Sequence, residues 1–240
     1  MNLHADELKA FYATQTGGLV RRFIAGHIHK IWPMERGLRI VGAGYALPYL
    51  EPFQAQAGGC FALMSPRTGA HAWPAEGKNR VCLAENDSWP LETESVDRIL
   101  LLHGLESVRR PDALLQECWR VLKSEGRLLI VVPNRLGFWA RADWTPFGCG
   151  TPYTAGQIAR HLQENQFVHT QTERALFMPP FRSFSALRSA YALEGIGRYV
   201  FPGLAGIYLV EARKKVYAGA VRSRVSKTQR VLVAKTTPAG

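Results

Sequence analysis

The sequence of 240 residues has few cysteines, no long hydrophobic run and almost no acidic residues near its C-terminus. Its four cysteines are widely spaced and form no Cys-x-x-Cys pair, which favours free thiols in a reducing compartment. No window approaches the roughly 18 apolar residues of a membrane span. Asp6 and Glu7 place charges where a secretory signal would have its apolar core. We therefore expect a cytoplasmic protein without a transmembrane segment.

Basic residues, by contrast, are concentrated at the C-terminal end. The formal net charge is +11, and residues 211–240 hold eight Lys and Arg residues against one acidic residue, Glu211, which amounts to +7. We expect residues 213–240 to form a flexible basic tail. Such a tail can attract RNA, an anionic lipid surface or an acidic protein, or it can simply be a solvated extension.

Residues 1–36 are predicted to form a helical segment ahead of the main domain. Its apolar residues, among them Leu19, Ile24 and Ile28, recur at three- and four-residue steps, as in an amphipathic helix. We predict a break in this segment at Gly17–Gly18. His27 and His29 are two residues apart and so do not share one helix face, and we predict no metal site.

Residues 37–212 show the pattern of an α/β domain. Short apolar runs predict strands at residues 38–42, 61–64, 80–83, 99–102, 127–132, 167–172 and 207–212. Helices are predicted at residues 45–56, from Pro111 to Gly126 and after Thr154, and residues 173–203 are irregular or helical. Because strands alternate with helices at this spacing, the sequence predicts a parallel sheet with right-handed crossovers.

The first predicted strand ends in a glycine turn, Ile40-Val41-Gly42-Ala43-Gly44. A Gly-x-Gly turn between a strand and a helix lets a ligand approach the backbone and places a helix N-terminus beside it. Gly42, Ala43 and Gly44 are therefore candidate cofactor contacts. The alternative is that the two glycines only permit a tight turn.

Three later segments follow in a recognisable order. They are Glu85-Asn86-Asp87-Ser88-Trp89-Pro90-Leu91, Leu102-His103-Gly104-Leu105-Glu106-Ser107-Val108 and Arg120-Val121-Leu122-Lys123-Ser124-Glu125-Gly126. Together they resemble the class I S-adenosylmethionine-dependent methyltransferases, in particular the small-molecule type. The resemblance implies a Rossmann-like seven-stranded sheet, mostly parallel, with helices on both faces. It also implies S-adenosylmethionine as the cofactor and a small-molecule acceptor.

The resemblance assigns roles to several of these residues. It implies that Glu85 or Asn86 binds the adenine end of the cofactor and that His103 lies beside the transferred methyl group. His103 can then accept a proton from the acceptor, or it can merely orient its loop. Ile40 and the pair Leu63–Met64 stand where the family usually has acidic residues. Loss of one such acceptor weakens cofactor binding by about 1.5–3 kcal/mol.

Residues 134–153 form a long loop rich in Gly, Pro and Trp. A loop of this length after a parallel strand is unusual unless it is functional, so we predict a substrate lid. The candidate substrate-binding residues are Trp139, Arg141, Asp143, Phe147 and Tyr153. The alternative is a surface loop packed by its own aromatic side chains.

Three functions remain open at the level of sequence. The first is methyl transfer from S-adenosylmethionine to a small molecule. The second is a binding or regulatory protein that has kept the fold and lost the activity, which Ile40 and Leu63–Met64 favour. The third, prompted by the basic tail, is methylation or binding of RNA, although no aromatic-basic RNA motif is present.

Overall fold

The computed structural model describes residues 3–182 and 190–215. Its centre is a sheet of seven strands in the order β3-β2-β1-β4-β5-β7-β6. The strands are β1 Arg39–Gly44, β2 Gly59–Met64, β3 Val81–Leu83, β4 Val96–Leu102, β5 Leu122–Pro133, β6 Phe167–Ala175 and β7 Ile207–Lys214. The pairs from β3 to β5 are parallel, whereas β7 is antiparallel to both β5 and β6. The predicted mostly parallel seven-stranded sheet is confirmed.

Helices cover both faces of this sheet. They are α1 Ala5–Ala13, α2 Gln15–Ile31, α3 Leu47–Gln54, α4 Pro111–Val121, α5 Ala155–Glu164 and α6 Ala190–Val200. In β4, Leu100 and Leu102 pack into the core beneath α1–α3, while Ile99 and Leu101 pack into the core beneath α4 and α5. The strand is uniformly apolar because its alternate side chains enter two different cores.

The N-terminal helices pack directly onto one face of the sheet, where Leu8 and Ile24 are buried. The predicted break at Gly17–Gly18 is wrong, since both glycines lie within α2. The chain breaks at Thr14, whose side chain caps α2 by accepting a hydrogen bond from Gly17 N at 3.0 Å. A Cβ at Gly17 would collide with the backbone of Phe11, so the tight connection itself requires this glycine.

Two predicted boundaries near the C-terminal half also differ. Helix α4 ends at Val121, not Gly126, because Leu122 already pairs with Val96 of β4. Strand β7 extends to Lys214, which is fully buried and donates to Glu94 Oε1 at 3.1 Å and to Leu122 O at 2.7 Å. Two basic residues assigned to the tail, Arg213 and Lys214, therefore belong to the sheet. Residues 216–240 of that predicted tail lie outside the described part of the chain.

None of the helices within residues 3–182 and 190–215 combines the length and the apolar content that crossing a bilayer requires.

Candidate functional site

A polar cavity of about 280 Å³ opens at the edge of the sheet where the parallel strands end. Its walls include Gly44 at the end of β1, Ser65 after β2, Glu85 and Asn86 after β3, and His103 after β4. In sheets of this kind, ligands bind outside the carboxyl ends of the strands. The structure therefore gathers Gly44, Glu85, Asn86 and His103, four of the predicted cofactor residues, around one cavity.

The glycine turn is required by the packing of the chain itself. A Cβ at Gly42 would lie 2.6 Å from Leu50 Cδ1, on helix α3. Gly44 has φ +74°, and a Cβ there would collide with Leu102 O and lie 2.9 Å from Gly104 N. Ala43 is buried in the core under α4 and α5. The two glycines thus fit the sheet with or without a ligand, and the contacts of Gly42, Ala43 and Gly44 with a cofactor stay predictions.

The positions that lack acidic residues are buried. Ile40, Leu63 and Met64 are each at most 3% exposed and belong to the two cores. Ser65, the next residue after β2, lines the cavity, and its Oγ accepts a hydrogen bond from Arg67 N at 3.3 Å. The β2 side of the cavity therefore offers a hydroxyl group and a nearby guanidinium group, since Arg67 lines it too.

His103 is the centre of a buried polar network. It has φ +53°, an uncommon backbone conformation for a non-glycine residue, and its side chain is 4% exposed. Its Nε2 lies 2.8 Å from Tyr12 Oη on α1, and its Nδ1 lies 3.2 Å from Glu106 Oε1. Tyr49, on α3, donates to Tyr12 Oη at 3.3 Å. Helix α1 therefore covers His103, the residue that the family resemblance predicts to lie beside the transferred methyl group.

The hydrogen bonds that link Tyr49, Tyr12 and His103 are consistent with one assignment of their hydrogen atoms. Burial raises the pKa of Tyr12 well above its usual value and also raises that of Tyr49, so both phenols are neutral at pH 7. Because Tyr49 donates to Tyr12, the Tyr12 hydroxyl donates to His103 Nε2. We therefore assign the ring hydrogen of His103 to Nδ1, which donates to Glu106. Glu106 Oε2 is buried and has no hydrogen-bond partner in the described part of the chain.

Sequence reasoning did not find the partners of His103. Tyr12 lies 91 residues away in the chain, and only the fold brings α1 over the end of β4. Glu106 lies three residues after His103, within the segment from Leu102 to Val108, but the family resemblance assigns it no role. The position of Glu106 three residues after His103, on the short 3₁₀ turn Leu105–Ser107, is the sequence feature that could have identified it as a partner.

The predicted lid residues lie in three different places. Trp139 and Phe147 are buried on the α1 side, where the Phe147 ring lies 4.9 Å from that of His103. Tyr153 is buried on the opposite side of the sheet, where its hydroxyl donates to Leu105 O at 3.2 Å. Arg141 and Asp143 line a separate open groove of about 550 Å³. Their roles in substrate binding stay predictions, and Phe147 is the member of the set that contacts His103.

One cluster at the protein surface has the residue types of a metal site. Asp112, His161 and Glu164 offer ligand atoms within 4.8 Å of one another, at the junction of α4 and α5. Asp112 is already paired with His161 Nδ1 at 2.8 Å and accepts from Asn165 Nδ2 at 2.9 Å. These contacts lower the pKa of Asp112, chiefly through the His161 hydrogen bond. The cluster is explained as a polar link between two helices.

Comparison with known proteins finds a family model that matches part of the chain. The family model for a methyltransferase domain matches residues 41–130, which include most of β1, all of β4 and the loop of His103. The ubiquinone/menaquinone biosynthesis C-methyltransferase UbiE of Syntrophotalea carbinolica is 40% identical over 58 residues, which are 24% of each chain. The aligned segment thus spans about a quarter of that relative.

Solved structures extend the likeness to most of the chain. A chain in the complex of the Haloferax volcanii Trm112 methyltransferase activator with a methyltransferase has a TM-score of 0.63 at 16% identity. The match covers 89% of this chain and 98% of that one. An S-adenosylmethionine-dependent methyltransferase from Thermotoga maritima has a TM-score of 0.58 at 14% identity, over 88% and 96% of the two chains. At these identities, the structures show a shared fold.

Proposed function

Because this chain belongs to the class I S-adenosylmethionine-dependent methyltransferase family, we propose that it transfers the methyl group of that cofactor to a small-molecule acceptor. The observation that carries the proposal is the cavity at the ends of β1, β2 and β4, with His103 in its wall. The family model covers this part of the chain, including the glycine turn and the segment after β4.

The residues around the cavity have the chemistry that the cofactor needs. Ser65 would hold the ribose hydroxyls, Glu85 or Asn86 the adenine amino group, and the backbone at Gly44 the amino acid arm. When bound, the cofactor supplies an electrophilic methyl group on a sulfonium sulfur. Ser65 is a neutral acceptor where a carboxylate is usual in the family, so we expect affinity roughly ten- to a hundredfold weaker than with an acid there.

His103 would act as the general base. Its Nε2 would take a proton from an acceptor hydroxyl or amine, while Glu106 Oε1 stabilises the imidazolium through Nδ1. In the present structure Tyr12 occupies Nε2, so an acceptor must first displace the Tyr12 hydroxyl. A narrow gap lined by Leu8, His103 and Cys149 marks where α1 and the 134–153 loop meet above the histidine. We infer that α1 moves when the acceptor enters.

Calorimetric titration of the full chain with S-adenosylmethionine and S-adenosylhomocysteine tests the cofactor step. We expect binding of both, weakened by Glu85→Gln together with Asn86→Ala. Glu125→Gln, near the amino end of β5 and so at the opposite end of the sheet from the cavity, should leave binding unaffected. Absence of binding at millimolar cofactor would contradict the proposal. Transfer of a labelled methyl group to the small-molecule fraction of a cell extract then tests the reaction, with His103→Gln as the inactive control.

The second candidate function is binding of a ligand in this cavity without methyl transfer. The buried Ile40, Leu63 and Met64 favour it, because no carboxylate stands at these positions, where the family usually has acidic residues. Cofactor binding without any labelled product, from extract or from RNA, would support this alternative. An anionic partner of the basic tail, an RNA acceptor and the cytoplasmic location all stay predictions.

A further inference from the structure

Exposed large hydrophobic side chains are concentrated on one part of the surface. Of the eleven such residues in the described part of the chain, eight lie in segments 136–138 and 191–204. These eight, which we name the apolar patch, are Leu136, Phe138, Tyr191, Ile196, Tyr199, Val200, Phe201 and Leu204. A concentration of this kind is unusual on a free surface and marks an interaction site.

Asn134 ties the first segment to the end of the second, while Tyr191, at the other end of the second segment, packs against Phe23 of α2 with ring centroids 5.0 Å apart. Asn134 Nδ2 donates to Gly203 O at 3.0 Å and to Ala205 O at 2.7 Å. Its Oδ1 accepts from Leu136 N at 3.1 Å, so one buried side chain holds Leu136 beside residues 203–205. The patch is therefore built into the fold at the carboxyl end of β5.

Helix α6 turns its single carboxylate inward, and several of its apolar side chains are exposed. Glu194 accepts hydrogen bonds from the backbone N–H groups of Leu176, Phe177 and Met178, at 2.7, 2.6 and 3.2 Å. On the opposite side, Tyr199 is 86% exposed. Glu194 is the only acidic residue between positions 190 and 210, so the outward face of α6 has no carboxylate.

We propose that the apolar patch docks this protein onto an anionic lipid bilayer. Tyrosine side chains, with an apolar ring and a polar tip, suit the boundary between headgroups and acyl chains. The net charge of +11 supplies the electrostatic attraction that shallow insertion usually needs as a second signal. A second copy of the chain is a poorer occupant, because it brings the same excess of positive charge.

The proposal rests on the surface alone and is independent of methyl transfer. The test is cosedimentation of the full chain with two kinds of vesicle, phosphatidylcholine alone and phosphatidylcholine mixed with phosphatidylglycerol. We expect binding to the mixed vesicles, reduced by high salt. The double variant Tyr199→Ser with Phe201→Ser removes two insertion groups and should lower the partition coefficient by about tenfold or more.

Leu83→Ser is the matched control, because Leu83 is a comparably exposed apolar residue on the edge strand β3. It should change partitioning by less than about twofold, within the range of a surface substitution. Tyr199→Ser alone, at the most exposed site, keeps the test valid if the double variant is unstable. Equal binding by the wild type and the patch variants would overturn the proposal, as would failure of the wild type to bind mixed vesicles. A dimer that both patch variants abolish, without lipid binding, would assign the patch to a second copy.

Discussion

Replacement of Tyr12 by Phe separates two roles that the phenol could have above His103. The ring contacts with Phe11 and Tyr45, at centroid distances of 5.3 and 6.0 Å, are retained in Phe. The hydroxyl group is lost, which leaves His103 Nε2 without its donor and the Tyr49 hydroxyl without its acceptor. Unpaired buried polar groups of this kind destabilise a fold by about 1–3 kcal/mol.

The effect on methyl transfer is the sharper measurement. If Tyr12 only occupies Nε2 in the resting state, its removal frees the base, and kcat/KM should stay within about threefold or rise. His103→Gln should lower kcat/KM by about a hundredfold or more, because it removes the base itself. The assay is initial-rate transfer from labelled S-adenosylmethionine, alongside urea unfolding of each variant.

Tyr49→Phe is the matched control for stability. It removes a donor to Tyr12 but leaves the bond between Tyr12 and His103, so we expect a smaller loss, about 1 kcal/mol. A fall of tenfold or more in kcat/KM for Tyr12→Phe, with cofactor binding retained, would refute the displacement mechanism. In that case the phenol would itself carry the proton between the acceptor and His103.

Three other substitutions test the physical basis of the fold. Gly44→Ala should destabilise the folded protein by about 1–3 kcal/mol in urea unfolding, because φ is positive there and the added Cβ would meet the Leu102 carbonyl. Gly18→Ala, in an open position on α2, should be neutral or stabilising. Equal effects of the two substitutions would contradict this account. Burial works against the charge of Glu117, but its hydrogen bonds to Arg120 and Trp89 N prevail and lower its pKa from 4.5. The folded state therefore gains stability above pH 4.5 and loses it as the pH falls through the lowered pKa, so the difference between wild type and Glu117→Gln should shrink from pH 7 to pH 4. Lys214→Met keeps the buried volume but removes the hydrogen bond to Leu122 O, and we expect a loss of about 1–3 kcal/mol in the same assay. A loss equal to that of the exposed control Lys9→Met would be inconsistent with this role.

The parts of the fold that could be predicted from the sequence are those governed by local pattern. In β4, four consecutive leucine and isoleucine residues are buried on both faces, and such a run suits only an interior parallel strand. The start of β5 could not be located in the same way. Val121 ends a helix and Leu122 begins a strand, and both are buried apolar residues, so hydrophobicity gives no boundary between them.

The packing of the 134–153 loop and the partners of His103 could not be predicted from local sequence patterns, for a different reason. Side chains in residues 134–153 have no periodicity from which to infer a direction, and Trp139 and Phe147 pack beneath α1 while Tyr153 packs on the other side of the sheet. Tyr12 has the features of a half-buried residue on an amphipathic helix. Its contact with His103 depends on how α1 lies across β4, which is a property of the tertiary structure.

The glycine turn shows why a motif and a binding site need separate evidence. Gly42 and Gly44 would both bring an added Cβ into contact with protein atoms, Leu50 in one case and the Leu102 and Gly104 backbone in the other. A protein that kept this sheet and lost its ligand would therefore keep both glycines. Ser65, Glu85 and Asn86 follow β2 and β3 and line the cavity, so their side chains can be changed without placing a new Cβ in the glycine turn. Evidence for cofactor binding must therefore come from substitutions at these three residues, because a glycine variant that loses the ligand will also have lost the turn.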